Sequence, residues 1–349
     1  MKMRRWTCAW LAVCLLALPC AADQDENAPL PVASEYVSDG MMNDFEDYAA
    51  AMPVAASAEG LNVSATAALL MERSSGTVLF EKNADARRAP ASITKIMTLL
   101  LTMEAVDGGK LALTDRVTAS AHAASMGGSQ IWLKEGESMT VDELLKAVCV
   151  ASANDAAVAL AEHLAGSEEA FVADMNRRAA ELGMNNTRFV NCCGLDADGH
   201  ETTARDIALM ARALLDHPLI TQYTTIWMDS LRNGATQLVN TNKLVRFYQG
   251  AMGLKTGTTD KAGYCVAASA AQNDMELIAV VLDGATSDKR FADAKALLNF
   301  GFANFEIARL HPEELTLDPV PVRHGTAPAV EVTGEAMAPL LVEKAPPVR

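Results

Sequence analysis

The chain has 349 residues, half of them apolar, enough to bury a sizeable core as one large domain or two smaller ones, and this excludes a disordered protein. Its 29 basic and 44 acidic residues leave a net charge of −15, with no Lys- or Arg-rich stripe beyond the first segment, which excludes nucleic acid and other polyphosphates as partners. Among the histidines and cysteines there is neither a Cys-x-x-Cys nor a His-Glu-x-x-His spacing, so no zinc site and no cofactor is expected.

In chain order, Lys2, Arg4 and Arg5 precede an apolar run from Trp6 to Leu18 and small residues at Ala21 and Ala22. The run is too short to span a bilayer comfortably, and the pattern predicts a cleaved export signal over 1–22, hence action outside the cytoplasmic membrane. Pro19 stands where a lipid anchor at Cys20 calls for a small residue. Residues 23–60 are expected to be a flexible acidic leader, because Asp23 to Ala58 holds eight acidic residues, no Lys or Arg, and Pro29, Pro31 and Pro53. Four cysteines remain beyond the signal. Cys149 and Cys265 lie in apolar runs and read as buried free thiols, although export permits disulfides, while no chemical role suggests itself for Cys192-Cys193.

Ordered structure is expected from Leu61. Ala65 to Met71 and Thr77 to Phe80 flank Ser74-Ser75-Gly76 as strand, turn and strand. Met252 to Thr258, Tyr264 to Ala270 and Met275 to Leu282 form three further strand-like runs, so the two groups predict one antiparallel sheet closed by both ends of the domain. Between them the punctuation is helical. Thr140 with Glu143 is a capping box, Asn154 and Ser167 stand at later helix starts, Gly166 and Gly183 at helix ends, and Thr203 opens a helix that Pro218 halts. The result is an α+β domain over 61–310 with an all-helical insert. After Arg309, seven of the thirteen prolines fall between Pro312 and Pro347 among short alternating runs, so 311–349 reads as a linker and a partial β-module, incomplete or docked on the main domain.

Three motifs carry chemistry. Ser92-Ile-Thr-Lys95 follows Pro90, a residue favoured in a first helical turn, so Ser92 and Lys95 share one face near a helix start. A serine hydroxyl needs a base, and Lys95 serves if burial and a second cation, for which Lys255 is the candidate, hold it neutral. Ser152-Ala-Asn154 falls at a break between helices, where Ser152 can relay a proton and Asn154 can bond a substrate amide, or both can simply cap a helix. Lys255-Thr256-Gly257 sits inside a strand, where a glycine is odd unless something approaches the backbone closely. An extended peptide is the expected visitor, with Lys255 and Thr256 on its carboxylate and the amides of Ser92 and Thr258 as an oxyanion hole.

The ordered trio resembles the Ser-x-x-Lys, Ser-Asp-Asn and Lys-Thr-Gly set of class A β-lactamases and penicillin-binding proteins. Over 61–310 the chain resembles more specifically the D-alanyl-D-alanine carboxypeptidases, the low-molecular-mass penicillin-binding proteins of the S11 serine peptidase family. The likeness extends to Met71-Glu-Arg-Ser-Ser-Gly76, Pro90 to Thr98, Leu182-Gly-Met184 with Thr187, and Thr256 to Tyr264. The resemblance implies a β-lactamase/transpeptidase-like fold and a cofactor-free enzyme that removes the terminal D-Ala from peptidoglycan stem peptides through an acyl-serine, with β-lactams as covalent inhibitors. It implies Ser92 as nucleophile and Lys95 as base, with Ser152, Asn154 and Lys255 around them. Arg290 falls where such enzymes place an arginine near the substrate carboxylate, against the plainer reading of a surface arginine.

Many relatives end in an amphipathic membrane-binding helix, whereas Pro339, Pro346 and Pro347 argue against an anchor helix in this tail. The same machinery serves DD-endopeptidases and transpeptidases, and the sequence leaves that choice open. A β-lactamase needs a further deacylating carboxylate, for which Glu181 is the one candidate. A non-catalytic cell-wall binder has no need of both Lys95 and Ser152.

Overall fold

The computed structural model describes residues 61–309, 320–321, 329–331 and 339–344; the expected export signal and acidic leader lie outside the described residues. A five-stranded antiparallel sheet is built from both ends of the main body. Strands β1 (Ala67–Glu72) and β2 (Val78–Lys82) come first, and β7 (Ala251–Thr259), β8 (Gly263–Gln272) and β9 (Met275–Gly284) come last, in the order β2-β1-β9-β8-β7. The register Leu69↔Val280 and Lys255↔Ala267 joins the early and late strands and leaves β7 at one edge of the sheet among the described residues.

Alternation along the central strands sorts their side chains into two cores. Leu69, Met71, Ala267, Ile278, Val280 and Leu282 face helices α1 (Lys95–Asp107) and α5 (Ala204–Leu215); Leu70, Val266, Ala268, Leu277, Ala279 and Val281 face α6 (Ser287–Asn304). With both faces covered, β8 and β9 read as nearly continuous apolar runs, and each fully buried aliphatic side chain contributes about 1.5–3 kcal/mol.

The segment between the strand groups is mainly helical. Helix α2 (Val141–Val150) opens on the expected capping box, Glu143 N–H donating to Thr140 Oγ1 and Thr140 N–H to Glu143 Oε2. Helix α3 (Asn154–Ala165) ends at Gly166 in the left-handed conformation, and Ser167 caps α4 (Glu168–Glu181). The insert is not all-helical as expected. Two short ribbons interrupt it, β3 (Arg116–Thr118) with β4 (Ser138–Thr140) and β5 (Met228–Leu231) with β6 (Thr236–Val239), each too short for its alternation to register in sequence.

Beyond α6, strand β10 (Phe305–Ala308) pairs with β13 (Leu340–Glu343), and Leu341 packs with Phe305 and Ile307 against the second core. The two-residue strands β11 (Val320–Pro321) and β12 (Ala329–Val330) pair with each other. Among the described residues no helix is long and apolar enough to cross a membrane.

Candidate active site

Ser92 lies in a 3₁₀ turn, Ala91–Thr94, that leads directly into α1, so Ser92 and Lys95 face the same way one turn apart. Ala91 is left-handed at φ 47°, a conformation an L-residue adopts only when its surroundings impose it. Two glycines leave room for it. A Cβ on Gly194 would lie 1.9 Å from the Ala91 carbonyl oxygen, and one on Gly257 would lie 2.9 Å from Ser92 N and 3.0 Å from Pro90 O. The protein's own nucleophile turn approaches Gly257 closely, a reason for a glycine there besides the expected substrate peptide, and it sets the Ser92 amide against β7.

Lys95 is fully buried, and so is Lys255, 1% exposed. Buried ammonium groups are costly, which makes this pair the clearest energetic mark of a site in the molecule. Lys95 Nζ lies 2.9 Å from Ser92 Oγ, 2.6 Å from Asn154 Oδ1 and 2.6 Å from the Cys193 carbonyl. Burial pulls its pKa down to about 8. Burial also takes Lys255 well below its ordinary range, with repulsion from Lys95 adding to the effect. Burial is the leading cause for both lysines, and the repulsion between them works in the same direction. Cys192 and Cys193, pushed up by burial, stay protonated at neutral pH and so put no negative charge of their own beside Lys95.

Asn154 does not cap its helix. Ala153 is the N-cap residue, and Asn154 Oδ1 takes Lys95 while Nδ2 donates to Gly127 O at 2.7 Å. The next residue, Asp155, is wholly buried and gathers the amides of Ile131 and Leu133, at 3.1 and 2.9 Å, which pins the 127–133 loop over the second motif. Ser152 is also left-handed, at φ 62°, and is nearly buried beside this loop.

On β7, Lys255 Nζ donates to the Thr256 carbonyl at 3.2 Å, Thr256 Oγ1 to Thr241 Oγ1 at 2.7 Å, and the exposed Thr258 hydroxyl to Gly257 O at 2.8 Å. Arg290 is not a surface arginine. At 7% exposure it reaches from α6 to Gly257 O at 3.1 Å and Thr258 Oγ1 at 3.0 Å, between the Tyr264 and Phe291 rings. Burial draws it down to about 10, so it remains cationic at neutral pH.

The sequence reading missed the 191–194 loop. Its Cys193 carbonyl accepts Lys95, its Cys192 carbonyl accepts Thr98 Oγ1 at 2.6 Å, and Asn191 Oδ1 closes the turn on Gly194 N at 2.6 Å. These contacts use the main chain of Cys192 and Cys193, so their side chains carried no signal; all four described cysteines are free and buried.

The signature of the D-alanyl-D-alanine carboxypeptidase family, peptidase family S11, matches residues 52–286. The chain is 47% identical over 283 residues to D-alanyl-D-alanine carboxypeptidase DacF of Bacillus subtilis, covering 80% of this chain and 73% of the relative. It is 42% identical over 255 residues to DacC of Escherichia coli, covering 71% and 64%. It is also similar to the ampicillin-bound structure of penicillin-binding protein D2 from Listeria monocytogenes, with a TM-score of 0.64 and 35% identity over 70% of this chain and 99% of that one. A serine with a buried lysine at its hydroxyl, an asparagine on the same amine and a Lys-Thr-Gly strand beside them agree with this likeness, and the chain belongs to the S11 D-alanyl-D-alanine carboxypeptidase family.

Proposed function

We propose that this protein is a serine-type DD-carboxypeptidase that releases the terminal D-Ala from peptidoglycan stem peptides, acting outside the cytoplasmic membrane. The observation that carries the reading is the set of contacts on Lys95 Nζ. A neutral amine has two N–H bonds and one lone pair. Asn154 Oδ1 and the Cys193 carbonyl can only accept, so they take both N–H bonds and leave the lone pair for the Ser92 hydroxyl proton.

Ser92 Oγ attacks the carbonyl carbon of the penultimate D-Ala as its proton passes to Lys95. The developing oxyanion sits between the amides of Ser92 and Thr258. As the C–N bond breaks, the leaving D-Ala nitrogen takes a proton through the Ser152 hydroxyl. Water then attacks the ester, and the acid leaves with Ser92 restored. The substrate's terminal carboxylate meets Thr256, Thr258 and the permanent charge of Arg290, and its arrival favours reprotonation of Lys255. β-Lactams stop at the first step as covalent inhibitors.

Glu181, the carboxylate a β-lactamase reading requires, lies at the far end of α4, half exposed and paired with Arg178 at 3.1 Å, which supports the carboxypeptidase reading. We keep the division of the chain near residue 310 as part of this proposal, with the pairing of β10 and β13 docking the later segment on the catalytic body.

The test is intact-mass analysis after benzylpenicillin, with Ser92→Ala alongside, and D-Ala release from a stem pentapeptide. A lasting single adduct and D-Ala release, both absent from the variant, are expected; a folded wild type that takes no adduct overturns the reading.

A further inference from the structure

Glu168 stands at the first position of α4, where an acidic residue ordinarily needs no explanation beyond the helix dipole. Its carboxylate is used otherwise. Oε1 accepts the Cys192 amide at 3.0 Å, across 24 residues of chain, and Oε2 is held by His122 Nε2 at 2.7 Å. The side chain is 13% exposed, so the acceptor is largely withdrawn from water. From the Cys192 N–H it grips, the chain runs through the Cys192 carbonyl, held by Thr98, to the Cys193 carbonyl that accepts Lys95 Nζ.

We infer that Glu168 is a positioning residue for the reaction: by accepting the Cys192 N–H while clamped by His122, it holds the 191–194 loop so that the Cys193 carbonyl faces Lys95. The argument rests on the acyl-serine reading above. Other grips on the loop act on neighbouring groups. Thr98 holds the Cys192 carbonyl, Asn191 closes its own turn, and His200 Nδ1 accepts Val190 N–H at 2.9 Å. Glu168 alone among the described side chains accepts the Cys192 amide, and without it that largely buried donor loses its partner, so the peptide turns toward water. Once the Cys193 carbonyl leaves, one Lys95 N–H is free to rotate toward Ser92 and the lone pair is no longer directed at the hydroxyl.

The test uses the full-length chain with Glu168→Ala and Glu168→Gln. Acylation by benzylpenicillin is resolved into non-covalent binding and a first-order acylation step, and maleimide labelling with peptide mapping follows the thiols of Cys192 and Cys193, which are buried in the parent. The Ala variant should acylate more slowly, on the order of tenfold, with unchanged non-covalent binding and with both thiols open to label. Gln retains an acceptor oxygen and should keep the wild-type rate and protected thiols. If the Ala variant does not fold, Glu168→Asp, one methylene too short to span the gap, takes its place. A wild-type rate in the Ala variant overturns the inference, as does a slowed variant whose thiols stay protected, or a Gln variant as slow as Ala. If the wild type takes no adduct, it is the acyl-serine reading that fails, and the labelling still decides whether Glu168 holds the loop.

Discussion

At the scale of single residues, the protonation of Lys95 sets the pH response. A lysine with its pKa lowered to about 8 is mostly charged at pH 6 and mostly neutral at pH 9, and only the neutral form can take the Ser92 proton. The acylation rate should therefore fall about tenfold per pH unit below the pKa and level off above it; a pH-independent acid limb, measured by stopped-flow acylation, would remove Lys95 as the base. Gly194 offers a second test. A methyl group there meets the Ala91 carbonyl at 1.9 Å in a backbone at φ 90°, so Gly194→Ala should lose on the order of 3 kcal/mol or more and most of its acylation, read by urea unfolding and penicillin binding. Nothing near Gly194 in sequence announces this role, because its partner is 103 positions earlier. Ser92 and Lys95, by contrast, were legible because three residues of helix impose their contact wherever the helix packs.

At the scale of elements, local rules and tertiary contacts divide cleanly. The helix boundaries at Thr140, Gly166, Ser167 and Thr203 follow from capping groups a few residues away, and the structure has each where the sequence indicated. Thr140→Ala should cost about 1 kcal/mol in denaturant unfolding while leaving the acylation rate unchanged, since the cap lies at the opposite end of α2 from Ser152; a large loss of rate would place the cap inside the site's support. Asn154 broke the same rule, because an asparagine at a helix start can serve the helix or reach away from it, and the buried Lys95 amine outbids the frayed amides. The ribbons β3–β4 and β5–β6 escaped notice because three or four residues carry no usable period.

At the scale of the whole molecule, the first described segment is tied to the last long helix. Asp293 on α6 accepts Ser64 N at 2.9 Å, Ser64 Oγ at 2.9 Å and Ala65 N at 2.8 Å, and it is 5% exposed. Asp293→Ala strands these donors and should cost about 2–4 kcal/mol in thermal or urea unfolding, with β-lactam acylation of the folded fraction retained; a change below half a kcal/mol would mean that the entry into β1 is held by packing alone. The sequence by itself determined the strands at both ends, the helical punctuation between them and the order of the three motifs, because each depends on residues within a turn or a strand of one another. Only the tertiary structure decided that burial lowers the pKa of Lys95, that Gly257 makes room for the nucleophile turn, that Arg290 is buried against β7 and that a main-chain carbonyl at Cys193 completes the lysine's contacts. Those outcomes depend on desolvation and on backbone groups common to every residue, which a side-chain alphabet does not spell out.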